Sequence, residues 1–177
     1  HNVDRLRTIH KAAASGDLRR VERELAVDPT LVDLGDGEGW TPLHHAVDNG
    51  HFEVAGMLID RGAIIDAVQT GGSENWYRPR GLRAVDLALR KGNEMMLGFL
   101  LARGAQYSMD LAVARGDEKT VKRLARSKEN RQAFGARSLS MAVSAGDSKL
   151  VKTLLRAGVE PTQPEPGAPC GTVLWRA

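Results

Sequence analysis

The sequence predicts an all-α fold, a solenoid of stacked helix pairs. Three observations predict it. A compact helix start, Trp40-Thr41-Pro42-Leu43-His44-His45-Ala46 closed by Gly50, recurs in altered form along the chain. An alanine followed four residues later by glycine occurs at Ala12/Gly16, Ala46/Gly50, Ala88/Gly92, Ala112/Gly116 and Ala142/Gly146. Around each of these pairs the same helical positions carry apolar residues. A single pair of short helices could not bury both of its faces, so each copy needs its neighbours.

Each residue of the best copy has a mechanical reason. Pro42 suits a first helical position, where its missing N–H would be unpaired anyway and its φ is already helical. Thr41 before it is an N-cap. Leu43, Ala46 and Val47 share one face, and Gly50 takes the left-handed turn that ends the helix. Val54, Leu58 and Ile59 line the second helix, which Gly62 stops. In the other copies an apolar residue stands three before the alanine: Ile9, Val85, Met109 and Leu139. Eight after the glycine stand Leu58, Leu100, Leu124 and Leu154, with Glu24 the exception and Leu25 beside it. Asp17, Asp117 and Asp147 follow their turn glycines and are placed to cap the second helices.

At 177 residues the chain is one compact array or a single domain, and 42% hydrophobic residues suffice for a core. Aromatic residues at 5% point to a core of Leu, Ala and Val between closely packed helices. The single cysteine, Cys170, excludes an internal disulfide and a zinc site of several thiolates, and suits a reducing compartment. No apolar run approaches the ~20 residues that span a bilayer. The expected location is intracellular, in the cytoplasm. The net charge of +3 hides an asymmetry: residues 1–66 hold 7 Lys/Arg against 12 Asp/Glu, and residues 67–177 hold 18 against 10.

The motif Thr41-Pro42-Leu43-His44-His45-Ala46, with Gly50-His51-Phe52-Glu53-Val54, Leu58-Ile59 and Gly62-Ala63, resembles the ankyrin repeat, whose period is ~33 residues. The resemblance covers roughly residues 4–160. It implies an ankyrin-type helical repeat solenoid with short β-turn fingers, in units of about 4–35, 36–67, 81–105, 106–133 and 135–160. Unit one, with Arg5, Arg7, Arg19, Arg20 and Arg23 interleaved among its apolar positions, reads as a terminal cap.

The register alanines are spaced 34, 42, 24 and 30 residues apart. The longest interval comes from an insertion at 68–81. The shortest means that the finger joining units three and four is missing. The interval of 30 passes through Arg126-Ser127-Lys128-Glu129-Asn130-Arg131, a polar linker or an extended second helix. A Pro-rich linker at 161–171 then leads to Thr172-Val173-Leu174-Trp175-Arg176-Ala177, the start of a partial sixth unit. The array is therefore expected to continue in a longer protein.

His44, His45 and His51 are the close histidine group, and a metal would need Asp48 or Glu53 besides. The resemblance instead gives His44 a hydrogen bond to the neighbouring hairpin and makes His51 the usual residue after the turn glycine. There is no Ser-centred nucleophile motif, no phosphate-cradling glycine loop and no evident carboxylate pair. No enzymatic activity, cofactor, metal or small-molecule substrate is expected.

Carried over by the resemblance, contact positions are the helix residues just before the turn glycine, on the concave face, and the finger tips. Here these include Asp48 and Asn49, Arg90 and Lys91, and Arg115. Trp40 is either a binding hot spot or packing for its own hairpin. Trp76, Tyr77, Arg78 and Arg80, off the repeat pattern in the insertion, form a second contact or fold back over unit two or three. The expected function is non-catalytic binding of a protein partner. Two further classes are a regulatory or targeting domain of a larger enzyme, and a basic platform for nucleic acid or anionic membrane. The cations from Arg115 to Arg137 are interrupted by Asp117, Glu118 and Glu129, so they read first as a solvated face.

Overall fold

The computed structural model describes residues 2–71 and 81–161. Among these residues there are ten α-helices and no strand. The helices are α1 (Asn2–Ser15), α2 (Leu18–Val27), α3 (Pro42–Asp48), α4 (Phe52–Asp60), α5 (Ala84–Arg90), α6 (Glu94–Ala102), α7 (Met109–Ala114), α8 (Glu118–Leu124), α9 (Lys128–Ser144) and α10 (Ser148–Arg156), with a 3-10 turn at Pro29–Val32. They pair as the sequence predicts, two helices to each Ala/Gly register. The chain divides into two compact units, His1–Gln106 and Tyr107–Ala177. In the first, α1, α3 and α5 pack in a row, each against its own second helix. In the second, α7 packs on α9 and α8 on α10.

All five helix pairs turn in the same way. Gly16, Gly50, Gly92, Gly116 and Gly146 have φ between 65° and 75°. The N–H of the residue after each glycine donates to the carbonyl of the register alanine: Asp17 to Ala12 at 2.9 Å, His51 to Ala46 at 2.8 Å, Asn93 to Ala88 at 2.9 Å, Asp117 to Ala112 at 2.9 Å and Asp147 to Ala142 at 3.0 Å. This six-to-one bond with a left-handed glycine satisfies carbonyls that a helix end would leave open. Side-chain caps follow it, from Asp17 to the Arg20 N–H, Asp117 to Thr120 and Asp147 to Lys149 and Leu150.

The core is the predicted one. Ile9, Leu43, Val85, Met109 and Leu139 are buried, as are Leu58, Leu100 and Leu154. Leu124 departs from the expectation. It is only half-buried, and Ala125 fills the covered position beside it, as Leu25 does beside Glu24. The reason lies in how the segment continues. α8 stops at Leu124, and its open carbonyls are taken by side chains of the next helix: Asn130 Nδ2 donates to the Leu124 oxygen, and Arg131 to those of Ala125 and Arg126. Residues 128–131 are thus neither a linker nor an extended second helix. They begin α9, whose N-cap Ser127 Oγ accepts the Asn130 N–H. α9 reaches 17 residues, a first helix lengthened at its N-terminus.

No helix among the described residues is long and apolar enough to cross a membrane. Leu58→Ala is expected to cost ~2–5 kcal/mol of stability, the range for emptying a fully buried leucine site, and Leu124→Ala clearly less. Equal losses in denaturant titrations would show that the two positions are packed alike.

Candidate functional site

The fingers of the first unit are built on carboxylates and glycines. Asp36 and Gly39 close a β-turn, with the Gly39 N–H donating to the Asp36 carbonyl at 2.9 Å and the Asp36 N–H to Trp40 O at 2.9 Å. The Asp36 carboxylate accepts from the backbone of Glu38 and Trp40 and from His45 Nε2, the last at 2.8 Å. Burial raises its pKa, but the His45 bond and the two backbone N–H groups outweigh this and hold it below the ordinary value. The next finger is closed at its base, where Gln69 N–H donates to Leu82 O and Gly81 N–H to Gln69 O. Gln69 Nε2 also donates to Glu38 O, tying the two fingers together. Where they meet, a Cβ on Gly39 would lie 2.1 Å from the Gly71 nitrogen.

Histidines join the helices to these fingers. His10 Nε2 faces Leu34 O at 2.9 Å, and His44 Nε2 faces Leu82 O at 3.1 Å, in each case a carbonyl beyond the second helix of its own pair. A carbonyl only accepts, so His44 Nε2 carries the proton; Nδ1 then accepts the Thr41 N–H. Burial is the main cause that lowers the His44 pKa below 6.5. His51 Nε2 reaches back to Ala14 O. Among the described residues no three His, Cys, Asp or Glu side chains are grouped to hold a metal ion.

Trp40 is half-buried and lies over its own helix, with ring centroids 6.0 Å from His44 and 5.3 Å from His45. The end of α3 and the end of α5 come together: Lys91 Nζ pairs with Asp48 Oδ1 at 3.3 Å. Asn49, Arg90 and Lys91 are exposed, and Asp48 is half-buried. In the second unit Arg115, the residue after α7, is also exposed. Trp76, Tyr77, Arg78, Arg80 and the 172–177 segment lie outside the described residues.

Several working residues escaped the sequence reading. Asp36 gathers a turn, a helix and a tryptophan; its Asp-Gly context was the available signal. In units three and four the histidine position holds acids instead. Asp86 accepts from the Arg83 backbone at 2.8 Å and pairs with its guanidinium, and Asp110 accepts from Ser108 Oγ and pairs with Arg137. An acid three residues after the N-cap, as Asp86 is after Arg83, is the sequence mark of such a reciprocal cap, although there the cap is usually Ser or Thr; Asp110 stands only two after its N-cap Ser108.

A row of two-helix units with left-handed glycine turns and β-turn fingers defines a helical repeat scaffold that presents surface. A family model of ankyrin repeats, in three copies, matches residues 9–110. The chain belongs to the ankyrin repeat family, whose members generally serve as protein–protein interaction modules. It is 34% identical over 94 residues to a probable 26S proteasome regulatory subunit p28 of Saccharomyces cerevisiae, covering 52% of this chain and 36% of that protein. It is 30% identical over 102 residues to the ankyrin repeat protein nuc-2 of Neurospora crassa, covering 58% and 9%. With the human ankyrin repeat domain-containing protein 39 it shares 42% identity over 67 residues, 37% of this chain and 35% of that one. The matched region thus spans about a third or less of each of these relatives.

Two outcomes follow from this geometry. Gly39→Ala is expected to lower the melting temperature markedly, and Gly37→Ala, with nothing within 4 Å of its added Cβ, to leave it nearly unchanged. Because the unfolded chain takes up a proton at His44 near pH 6.5 and the folded one resists it, this group's contribution is constant above that value and falls as the pH drops through it. His44→Gln should flatten the decline of melting temperature between pH 6.5 and 5; an unchanged slope would place the titration elsewhere.

Proposed function

We propose that this chain is a non-catalytic module that binds a protein partner across the ends of its first helices and its finger tips. The observation that carries the reading is the division of labour within the first helices. In α3 and α5 nearly every residue up to the register alanine is buried, while Asn49, Arg90 and Lys91 at the ends are exposed. The scaffold uses the first set and leaves the second for contact. The Lys91–Asp48 pair sets a cation beside an anion there, a pattern suited to a polar, charged partner surface.

The relatives are longer than the stretch they share with this chain, which favours a binding domain set within a larger protein, including a targeting domain attached to an enzyme. Affinity capture followed by mass spectrometry identifies the partner. Against that partner, Arg90→Glu with Lys91→Glu is expected to weaken binding by about tenfold or more, since like charges across an interface cost several kcal/mol. The melting transition should barely move, because an exposed pair such as Lys91–Asp48 is worth ~0–1 kcal/mol. Unchanged affinity would remove these helix ends from the binding surface.

A further inference from the structure

The second unit carries a charge pattern that the sequence alone obscured. Residues 107–161 hold 11 Lys/Arg against 6 Asp/Glu. The acids that interrupt the basic run are all engaged. Asp117 caps α8, and Glu129 accepts from Ser127 at the start of α9. Glu118 is shared by Lys122 and Lys149, each at 2.6 Å, and so clamps α8 to α10. Exposed beside this clamp are Arg123 and Arg126 on the α8 side, and Lys152 and Arg156 on α10. None of these four has a carboxylate partner among the described residues. Arg123 is on α8 and Arg126 in the turn just after it, while Lys152 and Arg156, four residues apart, share one side of α10.

An aliphatic side chain stands among them. Leu155 is 44% exposed, three residues from Lys152 and next to Arg156. The aromatics of this unit among the described residues, Tyr107 and Phe134, pack against the core. Among the described residues the face therefore offers cations and one protruding leucine, with no ring on which a nucleotide base could stack. A strand of nucleic acid would use the cations and find no place for Leu155. A bilayer of acidic lipids uses both, with phosphates at the height of the guanidinium and ammonium groups and acyl chains beneath them. Lysine stems lying along the interface extend the apolar contact.

We propose that the outer face of α8 and α10 docks on the surface of an anionic lipid bilayer, with Arg123, Arg126, Lys152 and Arg156 meeting headgroups and Leu155 entering the interface. This surface shares no residue with the helix ends assigned to the protein partner. Sedimentation of the full chain with phosphatidylcholine vesicles, with and without phosphatidylserine, tests it. Binding is expected only with the acidic lipid and is expected to weaken as salt is raised. Each exposed cation contributes about fivefold, so Arg123→Glu with Arg126→Glu, and separately Lys152→Glu with Arg156→Glu, should each weaken binding more than about tenfold. Leu155→Ser should weaken vesicle binding several-fold without affecting any binding to poly-glutamate or single-stranded RNA. Arg19→Glu with Arg23→Glu, on the second helix of unit one, should change nothing. Circular dichroism melts confirm that each variant is folded, and the two charge pairs are independent, so either one alone decides. Absence of phosphatidylserine-dependent binding, or full binding by a folded charge-pair variant, overturns the proposal. So does capture of RNA or poly-glutamate by this face when vesicles are ignored.

Discussion

The structure depends on one hydrogen bond made five times, from the N–H after each turn glycine to the carbonyl of the register alanine. The bond closes the first helix and sends the chain back along it. The alanine must be small because the returning helix passes over it, and all five register alanines are at most 3% exposed. Once that turn is set, the second helix can present its apolar residues in one direction only, and the residues just before the glycine are left at the surface.

Coupling between helix pairs uses a second device that follows the presence of a finger. Where a finger comes next, the position two before the register alanine holds histidine, long enough to place Nε2 on a carbonyl of the next segment, as His10 does at Leu34 and His44 at Leu82. After unit three the chain passes from Ala105 to α7 without a finger, and Asp86 stands in that position, paired with Arg83 of its own helix start. Loss of the finger and loss of the histidine are one change. A buried imidazole without its carbonyl would leave a donor unsatisfied, while the Asp86 carboxylate is held by the guanidinium and backbone N–H of Arg83 in its own turn.

Much of this was legible in the sequence, because glycine, proline and register alanine act within a few residues of one another. The five turns, the capping aspartates and the leucines at 58, 100 and 154 all follow from local spacing. What spacing could not show was partner choice. Counting eight residues from Gly116 reaches Leu124, but α8 ends there, and its closing bonds come from Asn130 and Arg131. Polar composition over 126–131 is equally suited to a linker and to a helix start, and only Ser127 followed by two charged residues hinted at the second. On the surface, the sequence gives charges without pairings. Glu118 reads as a break in a basic run, whereas in space it joins two lysines from different helices.

The closed base of the second finger has an architectural consequence. Gln69 and Leu82 are bonded backbone to backbone, and Gln69 is tied in turn to the first finger through Glu38. These bonds join the chain on either side of the residues between 71 and 81. The loop-closure cost of lengthening that span grows only slowly with length. The repeat thus contains a port, a place where the chain can change length between two positions that the bonded base holds together.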